Sequence, residues 1–315
     1  MSIEEQKGTT PFLCGVESPL EIQYDWESDH SMGAAIVQAM VEEARVDATD
    51  VPQSFYESVD PDALDDLFRP QISGSPRMKG KLSFSFAGHY VTARSDGHIT
   101  VESELGRVKR TGGNVMLTGD VPEDVFNQLS AQLLGDAAFD RTSLFALYGR
   151  NADVAQSRLS QAGVSSDHAH ILTHEPVARS AAQDQSNQSG RMSISSIVGS
   201  LGEFQSAIRE QVFDLQQERN GFDSAELRFC FDSLQLLLEE EGTETTTQFI
   251  TTVTETIEDV NGFGHFVLPN TYDSPPVQAV QSLFDVIIEI KIGVDGLEQR
   301  LHLQDTSHTT RWFQI

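Results

Sequence analysis

From residue 114 onward, short apolar runs alternate with longer segments of helical spacing, and this alternation limits the fold more than any other feature of the chain. Runs of strand length occur at 114–118, Ser143–Leu147, Ala169–Thr173, Leu227–Phe231 and His265–Leu268. Between them the spacing predicts helices over Glu123–Leu134, Asp153–Gln161, Ile197–Arg219, from Ser233 onward, and over Thr245–Val260. Strands alternating with helices build parallel βαβ units, with the helices on the faces of the sheet. Two further strands, around Phe284–Lys291 and Leu297–Leu303, close the chain. Glu175–Ser195 is poor in apolar residues and rich in Ser, Gln and Ala, which predicts a mobile insert.

The first third follows other rules. Met32, Ile36, Ala39, Met40 and Glu43 keep helical spacing over Ser31–Glu43, with Asp29 or Ser31 as N-cap. Asp60-Pro61 starts a short helix over Asp62–Phe68, proline being preorganised for the first helical position. Leu82–Phe86, His89–Ala93 and Ile99–Val101 form an alternating meander, turned at Ala87-Gly88 and at Asp96-Gly97. The expected organisation is a loose leader over 1–19, an α+β module over 20–105, a basic glycine-containing linker over 106–113, and an α/β domain over 114–315. The fold class is therefore α/β, a small α+β module followed by a mostly parallel sheet flanked by helices.

A length of 315 residues allows two domains with separate cores. The formal net charge is −27, and only five of the 21 basic residues are lysine. Acid excess with suppressed lysine suits a cytoplasm of molar salt, where at about 1 M the screening length is only about 3 Å. The charge also argues against non-specific nucleic-acid binding, which relies on basic residues releasing counterions. Of two cysteines, Cys14 and Cys230, the second lies in an apolar run and reads as a buried free thiol of a reducing compartment. No apolar run reaches membrane-spanning length and no signal peptide is legible, so a cytoplasmic protein without a membrane partner is expected.

The turn after the strand at 114–118 is where a phosphate-binding loop of the G-x-x-x-x-G-K-[ST] type would fall. Here Gly119 is followed by Asp120, Val121, Pro122, Glu123 and Asp124, and no lysine occurs between Lys109 and Lys291. Three carboxylates thus stand at a helix start, where they satisfy the helix dipole and oppose a phosphate. No cofactor is expected.

Ser31–Val37, Val59–Phe68, Phe84–Thr92 and Ser95-Asp96-Gly97 together resemble the halobacterial output domain of haloarchaeal signalling proteins. That resemblance spans roughly residues 20–104 and implies an output or interaction role without catalytic chemistry. Leu227-Arg228-Phe229-Cys230-Phe231-Asp232-Ser233-Leu234 looks like a Walker B strand, and residues 114–315 resemble a relative of the RecA/KaiC-type ATPases. Gly262-Phe263-Gly264-His265 and Phe284–Ile290 fit the same pattern. The resemblance implies that Asp232 marks a metal position, and that the degenerate turn at Gly119, Asp120, Glu123 and Asp124 marks the lost phosphate site. Leu147-Tyr148-Gly149-Arg150 ends the second strand where KaiC-like enzymes tend to carry water-activating acids, and that base is missing too.

Blander readings compete at each point. Asp232 also reads as a relic strand-end acid capping the next helix. His168, His170 and His174, with Glu175, could ligate zinc, but solvated histidines beside a loop are the ordinary alternative. Ser195, Asp232 and His265 lack the G-x-S-x-G elbow of a nucleophilic triad. Trp312 and Phe313 could mark a partner surface, but packing of the last strand against the sheet is the ordinary reading, and Glu239-Glu240-Glu241 reads as a solvated helix end. The reading that follows is a non-catalytic signalling or regulatory protein with protein partners, in a homo- or hetero-oligomer. The alternatives are a nucleotide-responsive protein with weak ATP binding, or a transcriptional regulator.

Overall fold

The computed structural model describes residues 19–28, 30–44, 55, 59–69, 79–86, 88–175 and 192–315. Contacts divide the chain into two compact units, one running up to Arg107 with Asp305–Thr310, the other comprising Val108–Gln304 with Arg311–Ile315.

The first unit holds β1 (Leu20–Gln23), α1 (Met32–Ala44), α2 (Pro61–Phe68), β2 (Lys81–Phe86), β3 (His89–Arg94) and β4 (His98–Ser103). Its sheet is antiparallel in the order β1-β4-β3-β2. The alternation read over 82–101 places Val91, Ala93, Ile99 and Val101 inward, against Met32, Ile36 and Met40 of α1 and Leu64 and Phe68 of α2. Ser31 caps α1 by accepting from the Ala34 amide, while the other cap candidate, Asp29, lies outside the described residues. Asp60 caps α2 by accepting from the amides of Asp62 and Ala63. The sequence reading gave no strand at β1, whose four residues are held by pairing with β4 rather than by local preference.

The stretch read as a linker differs. Most of residues 106–113 belong to α3 (Glu104–Thr111), which Gly106 does not interrupt: Ser103 Oγ accepts from the Gly106 amide in the first turn, and Lys109 and Arg110 complement the C-terminal dipole.

In the second unit follow β5 (Gly113–Gly119), α4 (Glu123–Leu133), β6 (Thr142–Tyr148), α5 (Asp153–Ala162), β7 (Ala169–Glu175), β8 (Ser193–Val198), α6 (Leu201–Glu218), β9 (Leu227–Asp232), α7 (Leu234–Glu241), α8 (Thr243–Glu258), β10 (Phe263–Leu268), α9 (Pro275–Val280), β11 (Val286–Gly293) and β12 (Gly296–Leu303). The main strands run in the order β12-β11-β5-β10-β9-β6-β7-β8, parallel from β11 to β8, while β12 is antiparallel to β11 and the two-residue strand Phe313–Gln314 is antiparallel to β12. The central strands are buried on both faces because helices cover both, although β9 and β10 also bury Arg228, Asp232 and His265. On one face Phe229, Phe231 and Phe266 pack against Phe204 and Ile208 of α6 and Phe249 and Val253 of α8. On the other, Phe145, Leu147 and Ile171 meet Leu134, Ala155 and Leu159, beside and on α4 and α5.

One boundary is corrected. The expected helix from Ile197 begins only at Leu201, capped by a reciprocal Ser200–Glu203 box. The preceding residues, within and beyond the expected insert, form β8, which pairs in parallel with β7. The rest of that insert, 176–191, lies outside the described residues.

Candidate functional site

In an open parallel sheet, ligands bind at the carboxyl ends of the strands, where strand order reverses. β10 enters between β5 and β9, so the ends of β5, β9 and β6 and the start of α4 lie together at one end of the sheet. All five residues singled out from the sequence lie there.

Only three residues join β5 to α4, so the helix begins at Glu123. Counted from Gly119, the lysine position of a phosphate loop falls on Val125 and the hydroxyl position on Phe126, which is buried. The Gly119 amide donates to the Asn270 carbonyl at 2.8 Å, and Thr118 Oγ1 donates to the same oxygen at 2.6 Å. Gly119 has φ 149°, and a Cβ there would collide with the Ile290 carbonyl. The backbone donors of this turn are thus partly spent on the loop after β10. Asp120, Glu123 and Asp124 are exposed at the helix start.

Asp232 is the last residue of β9 and is almost fully buried. The cap of α7 expected of it falls instead to Ser233, whose side chain accepts from the Leu236 amide. Its Oδ2 is ion-paired with Arg158 of α5, whose side chain is equally buried. Its Oδ1 lies 3.7 Å from Arg150 Nε, just past the end of β6. Arg150 is a quarter exposed and also pairs with Glu123 at the start of α4. The acid implied as a metal position therefore sits in a clamp of two guanidiniums. Arg158 donates further to Asn127 Oδ1 at 3.1 Å and to Cys230 Sγ at 3.2 Å. Burial opposes its charge, but the Asp232 carboxylate and the hydrogen bonds to Asp232 and Cys230 hold its pKa above the ordinary arginine value. Burial pushes the Cys230 thiol up, so the thiol stays protonated.

Beneath the clamp, His265 Nε2 and Ser130 Oγ hydrogen-bond at 2.7 Å. Burial, then the Arg158 and Arg228 charges, holds His265 well below the ordinary histidine range, so it is neutral at pH 7. Its partner is thus Ser130 of α4, not the Ser195 of the triad considered above. Ser195 lies on β8, four strands from β10, or about 19 Å at normal strand spacing.

The remaining candidates fall elsewhere. His168 stands 4.0 Å from Asp140, and His174 stacks on Tyr148 with centroids 4.7 Å apart while its Nε2 bonds the Gly199 carbonyl. Among the described residues, no group of three His, Cys, Asp or Glu could hold a metal ion. The Tyr148 hydroxyl lies within hydrogen-bond distance of both Glu240 and Glu241, and burial with these carboxylates raises its pKa. Trp312 is covered by Lys291 Nζ at 4.0 Å and by the Arg300 guanidinium at 4.6 Å, a packing role.

Sequence reasoning placed Asp232 but missed its partners. A usable signal existed: Arg158 interrupts the apolar spacing of Ala155, Leu159 and Ala162 on one helix face.

The family model described as family of unknown function (DUF7504) matches residues 112–290, more than half of the chain. The chain belongs to this family. Ahead of the DUF7504 region, the model for halobacterial output domain 1 matches residues 28–103. No curated protein matches the sequence. Among solved structures, the chain is similar to an uncharacterized protein of Pyrococcus horikoshii, crystallised in complex with an unknown peptide. The identity is 14% and the TM-score 0.43, covering 64% of this chain and 86% of that one. It is also similar to a KaiC-like protein of the hyperthermophilic archaeon Pyrococcus horikoshii OT3, at 13% identity and a TM-score of 0.41, covering 64% and 84%. Among the described residues, no helix is long and apolar enough to cross a membrane.

Proposed function

We propose that the chain is a non-catalytic signalling or regulatory protein of a haloarchaeal cytoplasm. On this reading it works by binding other proteins, its α/β unit serving as a docking platform for an output module. The match to halobacterial output domain 1 supports the regulatory side. The Asp232 clamp is the observation that carries the non-catalytic side. A magnesium ion at Asp232 would have to displace a buried arginine, leaving that cation unpaired in the core at a cost of several kcal/mol. The acids of the neighbouring turn would repel a nucleotide's phosphates, and Arg150, the arginine beside that turn, is already paired with Glu123 and Asp232. No hydrolytic step is therefore assigned to these residues.

Steady-state phosphate release by monodisperse full-length protein in 3 M KCl with Mg-ATP tests this reading. A rate equal to that of buffer is expected. Sustained turnover that disappears in Asp232→Ala would overturn the proposal and favour a nucleotide-responsive protein.

A further inference from the structure

The face of the sheet beneath α4 and α5 hides a row of polar side chains. Asp232, Cys230 and Arg228 alternate along β9 and so share one face. His265 lies directly opposite Cys230 on β10. Ser130 and Arg158 reach this row from α4 and α5. None of the six exceeds 2% exposure.

Ion pairs and polar contacts link the row from Arg150 to His265, and ring packing carries it on to Arg228. Arg150 holds Asp232, Asp232 holds Arg158, and Arg158 donates to Cys230 Sγ at 3.2 Å. Cys230 Sγ lies 3.8 Å from Ser130 Oγ, which bonds His265 at 2.7 Å. The His265 ring lies beside Phe263, with centroids 6.4 Å apart, and the Arg228 guanidinium sits 4.7 Å above the Phe263 ring. Arg228 Nη2 finally donates at 2.7 Å to the Lys109 carbonyl, in the last turn of α3. The backbone passes from the first unit to the second through this helix.

Such a row is a poor way to build stability. Buried ion pairs are often no better than apolar residues of the same volume, and Arg228 Nε and Nη1 are buried with no hydrogen-bond partner among the described residues. Its one partly exposed end is Arg150. We propose that the row couples the Arg150–Asp232 clamp to the last turn of α3, so that whatever draws Arg150 away from Asp232 changes how firmly α3 is held. When Arg150 leaves, Asp232 leans wholly on Arg158. The guanidinium then shifts towards the strand end and away from Cys230 Sγ. Ser130 and His265 readjust, and Phe263 with the Arg228 above it follows. That a partner protein supplies the pull rests on the docking reading above; the coupling itself is internal and can be tested without the partner.

Hydrogen exchange read by mass spectrometry on the full chain in 3 M KCl, for wild type, Arg150→Ala, Ser130→Ala and the double variant, tests the coupling. Arg150→Ala raises exchange of the 108–112 amides by on the order of fivefold, the low end of measured site–site couplings, and leaves 286–290 of β11 unchanged. In the Ser130→Ala background the same substitution changes 108–112 by less than about twofold. Arg150→Lys, which keeps the cation, stays near wild type. Unchanged exchange at 108–112 in Arg150→Ala, equal increases with and without Ser130, or a uniform rise across all core peptides each overturns the proposal. None of these outcomes depends on whether the chain docks a partner.

Discussion

Arg158→Met probes the clamp most sharply. The substitution keeps an unbranched apolar stem and removes the charge, leaving Asp232 nearly buried with only Arg150 at 3.7 Å. Breaking a buried pair by removing one partner costs about 3–5 kcal/mol. The contacts to Asn127 and Cys230 add about 1 kcal/mol each, and Arg150 moving closer returns part of the total. The net loss is on the order of 3–4 kcal/mol. For a unit of this size, that lowers Tm by roughly 6–16 °C. The double variant Arg158→Met/Asp232→Leu removes both charges, so its loss falls to within about 2 kcal/mol of wild type. Thermal unfolding in 3 M KCl reads all three proteins, because a pair this buried is little screened by salt. Equal losses in single and double variants would refute the argument, since Asp232 would then not depend on Arg158.

Further outcomes follow from the same geometry. His265 titrates far below its unfolded value near 6.5, so the unfolded chain binds the extra proton first. The stability tied to this histidine is complete above about pH 6.5 and falls with acid by up to about 1.4 kcal/mol per pH unit. His265→Gln flattens that part of the slope in denaturant titrations at pH 5–7, and an unchanged slope contradicts a neutral buried His265. Gly119→Ala forces a β-carbon against the Ile290 carbonyl at positive φ, which costs on the order of 2–4 kcal/mol. An unshifted denaturant midpoint would mean that β5 and β11 do not approach in this register. The net charge of −27 predicts marked destabilisation at 0.1 M KCl relative to 3 M, because repulsion between like charges reappears as screening fades. Equal unfolding midpoints at the two salts would remove the halophilic reading.

What the sequence disclosed was set by local physics. The strands β5, β6, β7, β9 and β10 are short, mostly apolar runs, and each helix between them carries a cap or a covered face, so order and class were legible. The antiparallel module was legible from its alternation and from Asp60-Pro61. β8 was not, because Ser193-Ile194-Ser195-Ser196-Ile197-Val198 has no local strand or helix signal stronger than its surroundings and is fixed by pairing with β7. α3 was hidden by Gly106 and its basic residues, whose caps are tertiary in part: the Lys109 carbonyl meets Arg228, 119 residues later. Asp232 was legible as a strand-end acid. Its clamp was not, because Arg150 and Arg158 reach it across the sheet from β6 and α5 and no local spacing links them.

The central claim is that internal arginines occupy Asp232 in place of a metal-bound nucleotide. Isothermal calorimetry of the full-length chain with Mg-ATP in 3 M KCl tests it directly. No saturable heat is predicted for the wild type. Stoichiometric binding that vanishes in Asp232→Ala would contradict the account, because that carboxylate would then be free to hold a metal.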